Sequence, residues 1–235
     1  GIEEFRRLVQ EELEVVPPDD RHTAYLDTVS DFVYEPAKAG MALNGTPLPE
    51  GFDDSYATNN YKQVQAGYST ITLNTPLGDF TSRQGFQLAE IARRYVGDNI
   101  RLSVEQNIVL RWVADADLPA IYRELVAVGL GDSGAGTIVD ITTCPGTDTC
   151  KLGIASSRGL TDELRTRLIK RIAMLPDAVR ELKIKVSGCF NSCGQHHVAD
   201  IGFFGNSRRS GNHKMPHFQV VLGGQWQENA GSYGL

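Results

Sequence analysis

The chain has 235 residues, 41% of them apolar, and a formal net charge of −6. That apolar content is enough to bury the core of one large domain or two modest ones, and the acidic balance excludes the basic footprint that nucleic-acid binding usually needs. No run approaches the roughly 20 apolar residues of a membrane-spanning helix, and the opening GIEEFRRLVQEELEVV is charged and amphipathic, unlike the apolar centre of a secretory signal. The expected setting is therefore cytoplasmic, with small molecules or proteins as partners rather than nucleic acid or membrane.

Taken in order, Ile2, Phe5, Leu8, Val9 and Leu13 recur at helical spacing and predict a helix from residue 2 to about 16, stopped by Pro17 and Pro18. From there to about residue 55, PPDDRH and LNGTPLPEGFDD read as connector. In GYSTITLNTPLG, Tyr68, Thr70 and Thr72 alternate with Ser69, Ile71 and Leu73, a strand pattern. Asp79, Thr81 or Ser82 offers an N-cap to a helix over RQGFQLAEIARRYVG, whose buried face is Phe86, Leu88, Ala89, Ile91, Ala92 and Tyr95 and whose stop is Gly97. NIRLSVEQNIVLRWV predicts a second strand and ADLPAIYRELVAVGL a second helix, giving a β-α-β-α unit that cannot cover both faces of its sheet alone. After the GDSGAG loop come a strand in TIVDIT, a helix in LTDELRTRLIKRIAML, and strands in LKIKVSG, VADIGFFG and HFQVVLGG. Lys183 and Lys185 alternate with Leu182, Ile184 and Val186 and are expected on the solvent face of their strand. The glycines of VGLGDSGAG lack the dinucleotide-binding spacing and read as a loop.

The four cysteines fall in two segments, Cys144 and Cys150 in TTCPGTDTC and Cys189 and Cys193 in SGCFNSCGQHH. Both pairs follow predicted strands, where α/β sheets tend to hold ligands. Three readings compete. Two disulfides are disfavoured in a reducing compartment. Structural zinc prefers two to four residues between paired cysteines, which the five residues between Cys144 and Cys150 do not match. A 4Fe-4S cluster takes four thiolates at varied spacing and is the favoured reading. The Gly, Ser, Thr and Asn residues around these sulfurs let the backbone approach closely and direct N–H and O–H donors toward sulfur.

The order C-x5-C, a long interval, then GCFNSC followed by ADIGF and LGG resembles the siroheme and 4Fe-4S signature of the ferredoxin-dependent nitrite and sulfite reductases. Upstream, the stretch from GYSTITLNTPLG to VEQNIVL is similar to the ferredoxin-like half-domain of that family, so the likeness covers residue 60 to about 224. It implies an α/β (α+β) chain: an N-terminal helix and extended linker over 1–58, a ferredoxin-like half-domain over 59–134, and an α/β siroheme and iron–sulfur domain with a mixed sheet over 135–235. It further implies six-electron reduction of nitrite to ammonia or sulfite to sulfide, siroheme and a 4Fe-4S cluster as cofactors, and an electron donor such as ferredoxin. By match, Cys144, Cys150 and Cys189 hold only the cluster, and Cys193 bridges it to the siroheme iron.

Around the macrocycle, the resemblance puts Thr143, Asn191, Gln195 and His196 in contact range, with Arg158 as a partner for a siroheme carboxylate. Two of these have plainer readings: Asn191 as a turn cap and Arg158 as a solvent-facing residue. His196 and His197 are not expected as iron ligands, because sulfur takes the proximal side, and at least one of them reads as an ordinary hydrogen-bonded histidine. Distal cations in the family come mainly from its first half. Where that half has arginine within T-R-Q, this chain reads SVEQN with Glu105, so it is expected to be the second half only, inactive without its N-terminal half. No catalytic residue is named, and Arg83, Arg101, Arg111 and Lys151 are cations without an assigned place. TCKLGIASSRG leans toward the sulfite-type members without choosing the anion. The competing class is a non-enzymatic zinc or iron–sulfur module serving structure or electron transfer.

Overall fold

The structure is a computed structural model that describes residues 1–16, 19, 21, 36–97, 99–226 and 231–235. It separates into two units, Gly1–Glu35 and Pro36–Leu235. In the first, helix α1 (Ile2–Val15) forms as its periodicity predicts, and none of its residues is buried. Its polar side is laced by Arg7, which pairs with Glu4 and Glu11. The expected stop at Pro17 and Pro18, and the connector through residue 35 apart from residues 19 and 21, lie outside the described residues.

The second unit carries two sheets. The first contains β1 (Asn60–Lys62), β2 (Tyr68–Leu73), β3 (Ile100–Leu102) and β4 (Ile108–Ala114) in the order β1-β2-β4-β3, every pair antiparallel. Helices α2 (Phe52–Asn59), α3 (Ser82–Tyr95) and α4 (Leu118–Ala127) accompany it. Leu73, Leu88, Ile91, Val96, Leu110, Val113, Ile121 and Leu125 close into one apolar cluster with Phe52. The alternation expected in β2 is present, with Ser69, Ile71 and Leu73 on its buried face. Among the possible caps, Thr81 starts α3 through a capping box with Gln84.

Three expectations are corrected here. The connector ends at Phe52, because that aromatic side chain belongs to the core cluster and α2 begins with it. NIRLSVEQNIVLRWV is a hairpin of two strands: the Gln106 N–H bonds Ser103 O at 3.1 Å, the Asn107 N–H bonds Ser103 Oγ at 3.3 Å, and Gln106 takes a left-handed φ of 69°. Phe86 is 77% exposed, since the buried stripe of α3 runs through Leu88, Ile91 and Ala92.

The second sheet is mixed, ordered β5 (Thr142–Thr143), β6 (Ile184–Ser187), β7 (Ile201–Ser210), β8 (His213–Leu222). The first three strands run parallel, and β8 returns antiparallel to β7 in a ten-residue hairpin. Helix α5 (Ser157–Ile169) sets Leu160, Leu164 and Leu168 against Ile138, Val139, Ile141, Ile184 and Val186, and the short α6 (Asp177–Arg180) leads into β6. The strand expected in TIVDIT shrinks to β5 alone. Asp140 turns back on its own loop, its carboxylate accepting from Gly136 N–H at 2.7 Å and from Asn107 Nδ2 at 2.8 Å, and the backbone follows as a turn. The Asn107 bond also ties the first sheet's hairpin to the second sheet.

Candidate metal centre

Parallel pairing of β5 with β6 brings the two cysteine loops side by side at one end of the second sheet. Thr143 pairs with Val186 in the register, and Cys144 N–H continues the ladder to Val186 O at 3.1 Å. The Gly188 N–H then points at Cys144 Sγ, 3.1 Å away. Ser157, at the start of α5, donates to Cys144 O at 2.7 Å and lies 3.5 Å from its sulfur. The loop after Cys150 folds onto the same point, with Ile154 and Ala155 N–H groups on Gly188 O at 2.9 and 3.0 Å. A side chain at position 188 would put its Cβ 2.6 Å from Gly146 Cα, so only glycine lets the loops touch.

Cys144 and Cys189 are buried, Cys150 and Cys193 are exposed, and all four are free thiols. Among the described residues, no group of three or more His, Cys, Asp or Glu side chains is close enough to hold a metal ion. The four thiols are thus carried on adjacent loops without forming a finished coordination set.

The remaining expected site residues divide. Thr143 is buried beside Cys144, and its backbone is clamped at both ends by Gln106, which accepts from Thr143 N–H at 2.9 Å and donates to Thr143 O at 2.8 Å. Sequence reasoning missed Gln106; the polar VEQN turn inside an apolar alternation was the available signal. Asn191 is exposed between Cys189 and Cys193. Gln195 is half-buried with a left-handed φ of 61°, and its Oε1 accepts from Lys185 Nζ at 2.9 Å.

His196 is fully buried, its Nδ1 pairs with Ser187 Oγ at 2.9 Å, and its ring stacks on Phe204 at 4.8 Å, the arrangement of an ordinary hydrogen-bonded histidine. Burial, then the neighbouring His197, pushes its pKa down to about 4, and it is neutral near pH 7. Arg158 is not solvent-facing. Its guanidinium binds Asp79, reaches Asp148 at 3.1 Å and donates to Leu77 O at 3.2 Å, tying the loop between Cys144 and Cys150 to the first sheet. The hydrogen bond it donates to the Asp79 carboxylate is the first cause of its raised pKa. Arg83 and Lys151 are exposed, and Arg101 and Arg111 half-buried.

Lys185 is a correction. It is 3% exposed rather than on a wet face, because the turn after Cys193 folds back over β6 and covers it. Desolvation lowers its pKa, against the raising influence of Glu105 and Asp140. These groups, with Thr142, Lys183 and Trp226, line a cavity of about 290 Å³.

Two family descriptions match this chain in tandem: the nitrite/sulfite reductase ferredoxin-like half domain over residues 61–128, and the nitrite and sulphite reductase 4Fe-4S domain over residues 134–232. The chain belongs to the nitrite and sulfite reductase family. All four cysteines and all of β5–β8 fall within the match to the family's 4Fe-4S domain.

Similar proteins include the ferredoxin–nitrite reductase of Synechococcus elongatus, 30% identical over 70% of this chain and 31% of that protein. The sulfite reductase [ferredoxin] 2 of Mycolicibacterium paratuberculosis is 32% identical over 79% of this chain and 34% of that protein. Among solved structures, the Mycobacterium tuberculosis NirA protein superposes with a TM-score of 0.64 at 22% identity, covering 84% of this chain and 35% of that one. At that identity the likeness speaks for the fold. The chain spans about a third of the length of these family members.

The residues present fit the family's iron–sulfur group. The donor set is four unpaired thiols, two open to incoming metal, and a backbone N–H is already directed at one of the sulfurs. No helix among the described residues is long and apolar enough to cross a membrane.

Proposed function

We propose that this chain supplies the cysteine-bearing half of a siroheme- and 4Fe-4S-dependent reductase that converts nitrite to ammonia or sulfite to sulfide. The observation that carries the reading is the parallel β5–β6 pair, which sets both cysteine loops together with the Gly188 N–H on Cys144 Sγ. In this reading Cys144, Cys150, Cys189 and Cys193 would hold the cluster, and Cys193 would be the residue that also serves the siroheme. When bound, siroheme and the cluster supply the substrate-binding iron and an adjoining electron store, chemistry that belongs to the cofactors.

The chain's own residues do the positioning. Gly188 N–H and Ser157 bracket the Cys144 sulfur, and hydrogen bonds of this kind stabilise an added electron. Gln106 fixes Thr143, Arg158 fixes the loop at Asp148, Lys185 holds Gln195, and in this reading Asn191 and Gln195 are assigned as neighbours of the macrocycle. We assign residues 1–58, 59–134 and 135–235 to arm, half-domain and cofactor domain, with α2 packed into the half-domain core. The remaining half of the enzyme, an electron donor such as ferredoxin and a cytoplasmic setting complete the proposal.

The test is anaerobic purification of the full-length protein followed by absorption spectroscopy and steady-state assays with each anion, using reduced ferredoxin or viologen. The expected result is siroheme absorption and reduction of one anion with the higher catalytic efficiency. A full-length protein that is fully active without iron or chromophore overturns the proposal.

A further inference from the structure

β6 buries all four of its residues, but its two faces do different things. Ile184 and Val186 enter the apolar cluster beneath α5. Lys185 and Ser187 project the other way, 3% and 1% exposed, and both end on the turn that follows Cys193. Ser187 Oγ accepts from Gly194 N–H at 3.1 Å and pairs with His196 Nδ1 at 2.9 Å, while Lys185 Nζ donates to Gln195 Oε1 at 2.9 Å. Three successive residues, 194 to 196, are therefore held by two side chains of one strand. The turn is pressed so closely on the strand that a Cβ at Gly194 would lie 2.2 Å from Val186 O.

An ammonium inside an α/β core is costly to desolvate, and an apolar residue of similar size would serve packing at least as well. Its hydrogen-bond partner is the neutral carboxamide of Gln195, and the Glu105 and Asp140 carboxylates line the same cavity without a hydrogen bond to it. Gln195 and Ser192 both hold left-handed backbone, with φ of 61° and 60°, a conformation that needs outside support in a non-glycine residue. We infer that Lys185 and Ser187 are positioning residues for the Cys193 sulfur, and that the Lys185 charge also favours the reduced form of the iron–sulfur group held there. The inference rests on the proposed cofactor reading. A fixed cation in a low-dielectric site stabilises the more negative state of a nearby group, one of the means by which a protein tunes a cluster.

The test uses full-length protein purified without oxygen, comparing wild type with Lys185→Met, Lys185→Arg, Ser187→Ala and, as a control, Lys183→Met. Iron loss to a chelator and the midpoint potential of the iron–sulfur signal are read together. Ser187→Ala and Lys185→Met are expected to lose iron about 10-fold faster, the scale for residues that support metal ligands. Only Lys185→Met is expected to shift the potential negative; Lys185→Arg keeps the wild-type potential and Lys183→Met changes neither readout. Where Lys185→Met does not fold, Gln195→Leu removes the same tether from a half-buried site and is expected to release iron equally fast. Wild-type retention and potential in Lys185→Met or, in its place, wild-type retention in Gln195→Leu overturns the inference while leaving the cofactor reading intact. A wild-type protein without iron and sulfide overturns both.

Discussion

The two sheets of the second unit are stabilised in different ways. The first closes over a continuous apolar cluster, Leu73, Leu110, Val113 and Ile121 among its members, and the polar side chains it buries are paired beside it, as Ser69 is with Asp115 at 2.6 Å. The second has a smaller apolar cluster on one face only, and on the other it buries Lys185, Ser187 and His196 and packs glycine against backbone. One layer is centred on a large apolar cluster; the other buries a lysine and uses close glycine-to-backbone contacts to bring two cysteine loops together. The lesson is that stability and site-building are segregated along this chain, and variants should separate them.

The largest expected effect belongs to Gly194→Ala. Its Cβ meets a backbone oxygen that cannot yield, so a loss of more than about 4 kcal/mol is expected. Proteolysis after partial denaturation should show β5–β8 cut while β1–β4 stay protected; equal cleavage of both sheets would break the division. Next, Leu110→Ala hollows the first sheet's core and should cost about 2–5 kcal/mol by denaturant melting, with little change in iron content per folded chain.

The second sheet carries a pH dependence through His196. His196 is held neutral in the folded state, with its pKa down at about 4 against an ordinary 6.5, so the unfolded chain binds the proton more readily between those values. Its contribution is fully present above pH 6.5 and is lost as pH falls toward 4. His196→Phe should flatten the fall in melting temperature over that window, and an unchanged slope would contradict the burial argument. The smallest effect is at the first sheet's rim, where Thr81→Ala removes the capping box of α3 and should cost about 1 kcal/mol in the same melt.

Much of this division was legible in the sequence, for identifiable reasons. Strand β2 and helix α3 carry clean alternation, helical spacing and a capping signal. The position of the cysteines after β-branched runs put them at strand ends, where β5 and β6 deliver them. The hairpin between β3 and β4 was hidden because its turn has neither glycine nor proline, and Gln106 adopts the left-handed backbone instead. Lys185 was misread because alternation records two faces of a strand but not what covers each one. Here the cover is the turn of residues 194–196, brought back over β6 by its own hydrogen bonds. The partner of His196 was hidden too, since proximity to Cys193 in sequence said nothing about the direction of its ring, which Ser187 turns inward.

The central claim is that both cysteine loops serve one iron–sulfur group, and metal analysis of the anaerobically purified full-length protein tests it most directly. Iron and acid-labile sulfide should appear in the equal ratio of a 4Fe-4S domain and fall together in Cys144→Ser and Cys189→Ser alike. Stoichiometric zinc without sulfide, or iron retained in full by both variants, would contradict it.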